Sequence, residues 1–445
     1  MIYVLQVELN EKEIKTIRQR LSKQNSVFSQ KRFLDSLYLP SSIIGRKEQA
    51  EQLLRHIESQ RHDFVVPVIS VFGRSGSGKS TVVRFVCQNI GDLACSCYVN
   101  LRKARTVFGC ANQILAGLGS ESLKSADGIN KAVDTIGSQI EEILFSKQKK
   151  FFILVLDEYD VIFSDKRGKP SDFMYKLLTL EEDLREKDLW LCLITISNNA
   201  LSEYELDDRV KSRMGSCDVF FPPYKKDEVI AILRDRAKKA FAKPVDVSVL
   251  EYCAKLGSDD HGDARRALDL LRVSGELGNG RKITKKDVEN AQQRLQKDRI
   301  ELIVTNASYH QKVLISAICV NIIYSEGGWT STSSIYDKYG KILQKDTKSL
   351  SYRRVVDLLV ELENMGLVTT RTTSRGRRGY GTEYRLKFSP QMVGPFVGKE
   401  WWEDVVAKKE EIDKLDTELA GLKTLMGPRK SRFGLPYSFM KKYNL

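Results

Sequence analysis

Hydrophobic residues along this chain fall into two periods. Residues 67–72, 151–156 and 189–196 are short apolar runs with almost no polar interruption. Such strands suit the middle of a parallel sheet that is covered on both faces. Residues 94–101 read as a further strand. Between the runs, apolar residues recur every three or four positions. Ala50, Leu53, Leu54 and Ile57 make one face, and Ile129, Val133, Ile136, Ile140, Ile143 and Leu144 make another. That spacing predicts amphipathic helices, with one more over 108–118. Strands alternating with helices predict a three-layer α/β domain whose ligands meet the carboxyl edge of the sheet.

Past Pro222 and Pro223 the pattern changes. Residues 227–241 and 247–256 read as helices, and Asp263 is placed to cap a third. From Tyr309 a different unit begins, with helices over 313–324, 333–343 and 349–365 and strands over 367–371 and 383–388. Three helices followed by a basic hairpin predict a winged helix-turn-helix. The expected division is therefore an N-terminal extension (1–35), an α/β domain (36–224), a helical domain (225–300), a winged domain (301–395) and a basic helical tail (396–445). In the tail, Ile412, Leu415, Leu419, Leu422 and Met426 keep helical spacing.

Charge sharpens this picture. Across 445 residues, Lys and Arg number 72 and Asp and Glu 58, a formal net charge of +14. An excess of that size favours a polyanionic partner. Eight cysteines are scattered, and Cys95 and Cys97 have no nearby Cys/His pair, so a zinc signature is absent. Reduced thiols in a cytosolic protein are the expectation. No apolar run approaches a membrane span, and the apolar start turns acidic at once, a poor signal peptide.

The chemistry concentrates at the end of the first apolar run. Gly73, Arg74, Ser75, Gly76, Ser77, Gly78, Lys79, Ser80 and Thr81 fill the pattern of a phosphate-binding loop. Glycines let the backbone turn its N–H groups inward around an anion. The following helix adds its positive end. Lys79 supplies a point charge for the outer phosphates, and Ser80 a hydroxyl for Mg²⁺. Asp157 closes the run 151–156 and is placed to hold the same cation, with Glu158 as general base toward water. Asn198 follows the strand 189–196, where an amide senses a phosphate or orients water. Arg265, in the first turn after Asp263, is free to point back at the nucleotide. Arg209 and Arg213 are alternative arginine fingers for a neighbouring subunit. In the winged unit, Tyr352, Arg353 and Arg354 begin the candidate recognition helix. Arg375, Gly376, Arg377, Arg378 and Tyr380 lie at the hairpin tip, a composition suited to a minor groove.

Four stretches, Ile44 to Glu48, Asp157 to Asp160, Ile196 to Asn199 and His261 to Arg272, give the chain a resemblance. It is similar to the archaeal origin recognition and cell-division-cycle initiators, relatives of the eukaryotic origin recognition complex. The resemblance covers residues 36–390. It implies an AAA+ ATPase core, a helical lid and a winged DNA-binding domain. It implies that Gly45 and Arg46 border the adenine, that Asn198 and Arg265 are the two sensors, and that Arg213 is the finger. Slow, switch-like ATP hydrolysis, origin duplex DNA, the minichromosome maintenance helicase and further copies or paralogues on DNA follow as expected partners and chemistry. The family's DNA-touching helical insert is expected near 127–136, where only Lys131 is basic. Two other readings remain open: a DNA-binding regulator with a structural ATP site, and a generic AAA+ remodeller or clamp-loader-like subunit.

Overall fold

The strand that leads into the phosphate loop, β1 (Val68–Phe72), ends up inside a five-stranded sheet. Its partners are β2 (Cys95–Asn100), β3 (Phe151–Asp157), β4 (Trp190–Ser197) and β5 (Asp218–Phe220). The order is β2-β3-β4-β1-β5, all parallel. A computed structural model of the chain describes residues 27–390 except 63, 105, 166, 215–216, 259–261, 279, 324–327, 344–346 and 375–379, together with 11 and 13–15. The expected wing tip from Arg375 to Arg378 and the tail spacing from Ile412 to Met426 lie outside the described residues.

Helices cover both faces of the sheet. They are α1 (Lys47–Glu58), α2 (Lys79–Asn89), α3 (Val107–Leu118), α4 (Gly128–Ser146), α5 (Pro170–Arg185) and α6 (Asp208–Met214). β3 shows why its apolar run does not alternate with polar residues. Phe152, Leu154 and Leu156 enter the core under α3, α4 and α5. Phe151, Ile153 and Val155 enter the one under α1 and α2. Successive side chains point to opposite faces, so a strand covered twice must be apolar throughout. The carboxyl ends of β1, β3 and β4 fall level: Phe72 pairs with Ser197, and Asp157 with Ile196.

The residues expected as a helical insert, 127–136, are helical from Gly128. They are the first turns of α4, and Ala132, Val133 and Ile136 are buried in the sheet-covering core. Lys131 is exposed and paired with Asp127 at 2.8 Å. β5, which the sequence reading did not name, is short and has one buried residue, Val219. α5 was also unread. Pro170 starts it, and Phe173, Met174, Leu177 and Leu178 are its buried face.

The lid helices are α7 (Lys226–Ala240), α8 (Val247–Ser258) and α9 (Ala264–Leu277). They share a core of Val229, Leu233, Leu250, Cys253, Ala267 and Leu271. The segment before α1 packs onto them. Ser29 N–H donates to the Ala240 carbonyl at 2.8 Å, and the Phe28 and Phe241 rings lie 4.8 Å apart.

The chain divides into two compact units, Met1–Gln292 and Gln293–Leu445. α10 (Lys285–Asn306) begins in the first and ends in the second. The second unit holds α11 (Tyr309–Ile323), α12 (Thr332–Ile342), α13 (Tyr352–Asn364) and a sheet of β6 (Thr330–Ser331), β7 (Val368–Ser374) and β8 (Tyr380–Leu386). The sheet order is β6-β8-β7, antiparallel. Leu314, Ile318, Ile335, Tyr339, Leu359 and Leu362 lie in its core. This is a winged helix. No helix among the described residues is long and apolar enough to cross a membrane.

Candidate functional site

The phosphate loop joins β1 to α2, and two of its glycines have no substitute. Gly76 has φ +77°, and a Cβ there would stand 2.0 Å from Asp263 Oδ1. Gly78 has φ +95°, and its Cβ would stand 2.3 Å from the Tyr224 hydroxyl. Left-handed backbone and a tight wall therefore both demand glycine. Lys79 is buried and bent back on the loop, its Nζ donating to the carbonyls of Gly73 and Arg74, the latter at 2.9 Å. Ser77 Oγ is buried with no hydrogen-bond partner. Arg74 and Ser75 are exposed at the loop's outer turn, while Ser80 and Thr81 are half-buried in the first turn of α2.

Across the carboxyl edge, Asp157 is buried at the end of β3. Its Oδ1 accepts the N–H of Glu158 at 2.9 Å, and its Oδ2 accepts the hydroxyl of Tyr98. Glu158 adopts φ +56°, uncommon for a residue with a side chain. Strained backbone of that kind concentrates at functional sites. Asn198, just beyond β4, donates from Nδ2 to Asp160 Oδ2 at 3.2 Å, and Asp160 Oδ1 is buried without a partner. Burial lowers the pKa of Lys79, while the charges of Asp157, Glu158 and Asp160 oppose that shift and Arg265 adds to it. Four predicted or neighbouring groups thus act on one ammonium. Burial, and then the Asp157 carboxylate, push the Tyr98 phenol up, so it stays a donor.

The lid closes the third side. Asp263 caps α9, its Oδ1 accepting from Arg265 N–H at 2.9 Å and Arg266 N–H at 3.3 Å. The exposed Arg265 side chain borders a cavity whose wall includes Gly76, Thr81, Tyr38, Ile43, Ile44 and Tyr224. Gly45 and Arg46 are not in that wall; the preceding Ile43 and Ile44 are. Arg46 is instead spent on bracing. Its Nε donates to Ser77 O at 3.0 Å and its Nη2 to Pro222 O at 2.8 Å. Its guanidinium stacks on Tyr224 and pairs with Glu228 at 3.6 Å. Gly45 packs against the same Glu228, 2.7 Å from where its Cβ would be.

These groups fit a nucleoside triphosphate. A glycine cradle, an inward ammonium and an unpartnered Ser77 hydroxyl belong to one loop, and its Gly76 and Gly78 border the cavity. They also fit Mg²⁺, which needs only one or two protein oxygens beside phosphates and water. Ser80 and Asp157 supply a hydroxyl and a carboxylate. Among the described residues no cluster of three His, Cys, Asp or Glu forms a metal cage.

The two finger candidates separate along α5. α5 leaves the carboxyl edge after β3 and runs back toward the amino edge before β4. Arg209 pairs with Asp207 at 2.9 Å and reaches Asp172 in the first turn of α5 at 3.8 Å. Arg213 pairs at 2.6 Å with Glu182, well along the helix, in a cleft shared with Pro67 and Arg185. Arg209 therefore lies toward the carboxyl edge of the sheet and Arg213 toward the amino edge. Both guanidiniums lie 4.9 Å from the Tyr175 ring.

In the second unit, Tyr352, Arg353 and Arg354 are exposed at the start of α13, capped by the Ser351 hydroxyl. Tyr352 meets the Tyr336 ring edge-on at 5.3 Å. Arg354 lies 3.6 Å from Glu361 and 3.9 Å from Asp357. Tyr380 is 81% exposed at the start of β8. Arg371 stacks 4.3 Å from the Trp329 ring and pairs with Glu383 at 2.7 Å. Tyr98 and Tyr224 were missed by the sequence reading, and Asp160 was quoted within its stretch without a role. Only their position one strand or one loop away from the motifs marks them.

Residues 69–221 match the ATPase family associated with various cellular activities (AAA), so the first unit carries an ATPase domain. Residues 230–293 match the Cdc6 AAA+ ATPase-type lid domain, and 303–394 the CDC6 C-terminal winged helix domain. An ORC1-type DNA replication protein of Thermococcus kodakarensis is 31% identical over 381 residues, 82% of this chain and 90% of that one. ORC1-type DNA replication protein 1 of Sulfolobus acidocaldarius is 30% identical over 384 residues, 83% and 93% of the two chains. The structure of the Aeropyrum pernix ORC1 protein in complex with DNA superposes with a TM-score of 0.71 at 26% identity, covering 85% of this chain and 98% of that one. The Aeropyrum pernix ORC2 protein, in ADPNP-ADP complexes, shares the fold at 21% identity and a TM-score of 0.56, covering 86% and 99%. Three domain matches in order, and identity of this length, have one reading: the chain belongs to the family of ORC1-type DNA replication proteins.

Proposed function

We propose that this chain is an ATP-switched initiator that binds origin duplex DNA and helps bring the replicative helicase to it. The observation that carries the proposal is the pairing of two sites in one chain. Lys79, Asp157 and Arg265 converge on a phosphate loop, and a winged unit presents Tyr352, Arg353 and Arg354 at an exposed helix start. The DNA complex of the related Aeropyrum pernix protein supports DNA as the ligand. The minichromosome maintenance helicase, and further copies or a paralogue on DNA, are the partners this role needs. Its place of work is the nucleoid in the cytoplasm.

Within the ATP site the roles are chemical ones. Lys79 and the loop N–H groups neutralise phosphate charge. Ser80 and Asp157 would hold Mg²⁺, which supplies further neutralisation of the phosphates when bound. Glu158 orients and deprotonates the attacking water, Asn198 and Arg265 register the outer phosphate, and Arg213, with Arg209 as the alternative, reaches a neighbouring copy. Ile43, Ile44 and Tyr38 shield the base. Hydrolysis is slow, used as a switch.

A binding titration tests this. Duplex from the organism's own origin is compared with scrambled duplex at two salt concentrations, for wild type and for Arg377→Ala/Arg378→Ala. Non-specific binding falls steeply with salt, whereas an initiator keeps a preference of about 10³-fold or more. Equal, salt-labile binding to both duplexes would overturn the reading and favour a remodelling ATPase. Unchanged origin function in Glu158→Gln would favour a regulator with a structural ATP site.

A further inference from the structure

The Asp157 carboxylate is held from outside its own loop. The Tyr98 hydroxyl donates to Oδ2, while Oδ1 is taken by the Glu158 N–H. Tyr98 stands on β2, in register with Val155, two residues before Asp157 on the neighbouring strand. The Ser80 hydroxyl interacts with the same phenol. One hydroxyl therefore lies between the two side chains read above as the protein's oxygens for the cation. The ring is steadied from its other side by the Arg84 guanidinium, 5.2 Å from its centroid. Arg84 is on α2, the helix that also carries Ser80.

We propose that Tyr98 is a positioning residue for the divalent cation: its hydroxyl fixes the Asp157 carboxylate in the orientation that faces Ser80 before the cation arrives. This rests on the reading of Ser80 and Asp157 as cation-holding groups. A carboxylate at a strand end has two soft torsions. Mg²⁺ tolerates little departure from octahedral geometry, so a wandering carboxylate binds it poorly. Donors behind a metal ligand typically account for about 10- to 100-fold in metal affinity. Phenylalanine would fill the same space between β2 and α2 and lack only the donor.

The test is a titration of Mg²⁺ against a fluorescent ATP analogue, with an EDTA arm, on the full chain. Wild type, Tyr98→Phe and Asp157→Asn are compared, and each protein's Mg²⁺-dependent gain is read as a ratio to its own EDTA arm, so a loss of folded protein cancels. Tyr98→Phe is expected to match wild type in EDTA and to need about 10- to 100-fold more Mg²⁺ for half of the gain. An unchanged or lower Mg²⁺ requirement in Tyr98→Phe, with the gain lost in Asp157→Asn, would overturn the role of Tyr98 alone. A gain that survives Asp157→Asn would overturn the cation reading and this inference with it.

Discussion

The guanidinium of Arg46 lies 3.7 Å from the centroid of the Tyr224 ring, and Tyr224 in turn walls the backbone of Gly78. A residue before α1 and a residue after β5 thus grip the phosphate loop between them.

Arg46→Ala should loosen that grip. It leaves the carbonyls of Ser77 and Pro222 without these donors and removes the partner of Glu228. Stability should fall by about 2–4 kcal/mol, read by denaturant unfolding. Arg46→Lys should recover little, because an ammonium cannot reproduce the planar fork or the stacking.

Gly76→Ala should weaken nucleotide binding through the lid. The added methyl meets the Asp263 carboxylate that caps α9, displacing the turn that carries Arg265. The left-handed backbone alone costs about 1–2 kcal/mol. Calorimetric titration with ATP should show affinity at least about tenfold lower, since 1.4 kcal/mol is a factor of ten. Gly91→Ala, where a Cβ would meet nothing within 4 Å, is the control.

Lys79 should give pH two opposite effects. Its folded pKa is lowered, chiefly by burial, so the unfolded chain holds more protons between that value and the ordinary 10.5. Stability without nucleotide should therefore rise as pH rises through this window. Nucleotide affinity should fall over the same window, because the neutral amine no longer attracts phosphate. Lys79→Met should flatten this contribution to both curves, followed by thermal melts and by ATP titration.

Arg353 and Arg354 should not be equivalent on DNA. Arg354 faces Asp357 and Glu361, whereas Arg353 has no such carboxylate among the described residues. If Arg353 meets a phosphate, Arg353→Ala should lower the salt slope of duplex binding by about one. Arg354→Ala should change it less. Fluorescence anisotropy at several salt concentrations decides.

Much of this architecture was legible in the chain because its signals are local. Glycines at fixed spacing after an apolar run locate the loop, and the unbroken run from Phe151 to Leu156 announces a strand covered on both faces. What was not legible depends on neighbours distant in sequence. Tyr98 meets Asp157 only because β2 pairs with β3 in that register. Arg46 looks like an adenine-pocket residue until Tyr224 and Pro222 return beside it. Arg209 and Arg213 share a helix face at i,i+4, and only the direction of α5 tells them apart. β5 has too few buried residues to show a period.

The strand order also fixes a timetable. β1 finds its neighbours β4 and β5 only after the four helices α2 to α5 and the strands β2 and β3 have been made. Tyr224, Asp263 and Arg265 come later still. A chain emerging from the ribosome therefore displays its glycine loop long before it can grip a nucleotide, and contacts between such distant segments form slowly. The nucleotide cavity is complete only once residues from 35 to 268 have been made, so nearly all of the first unit must exist before its wall can close.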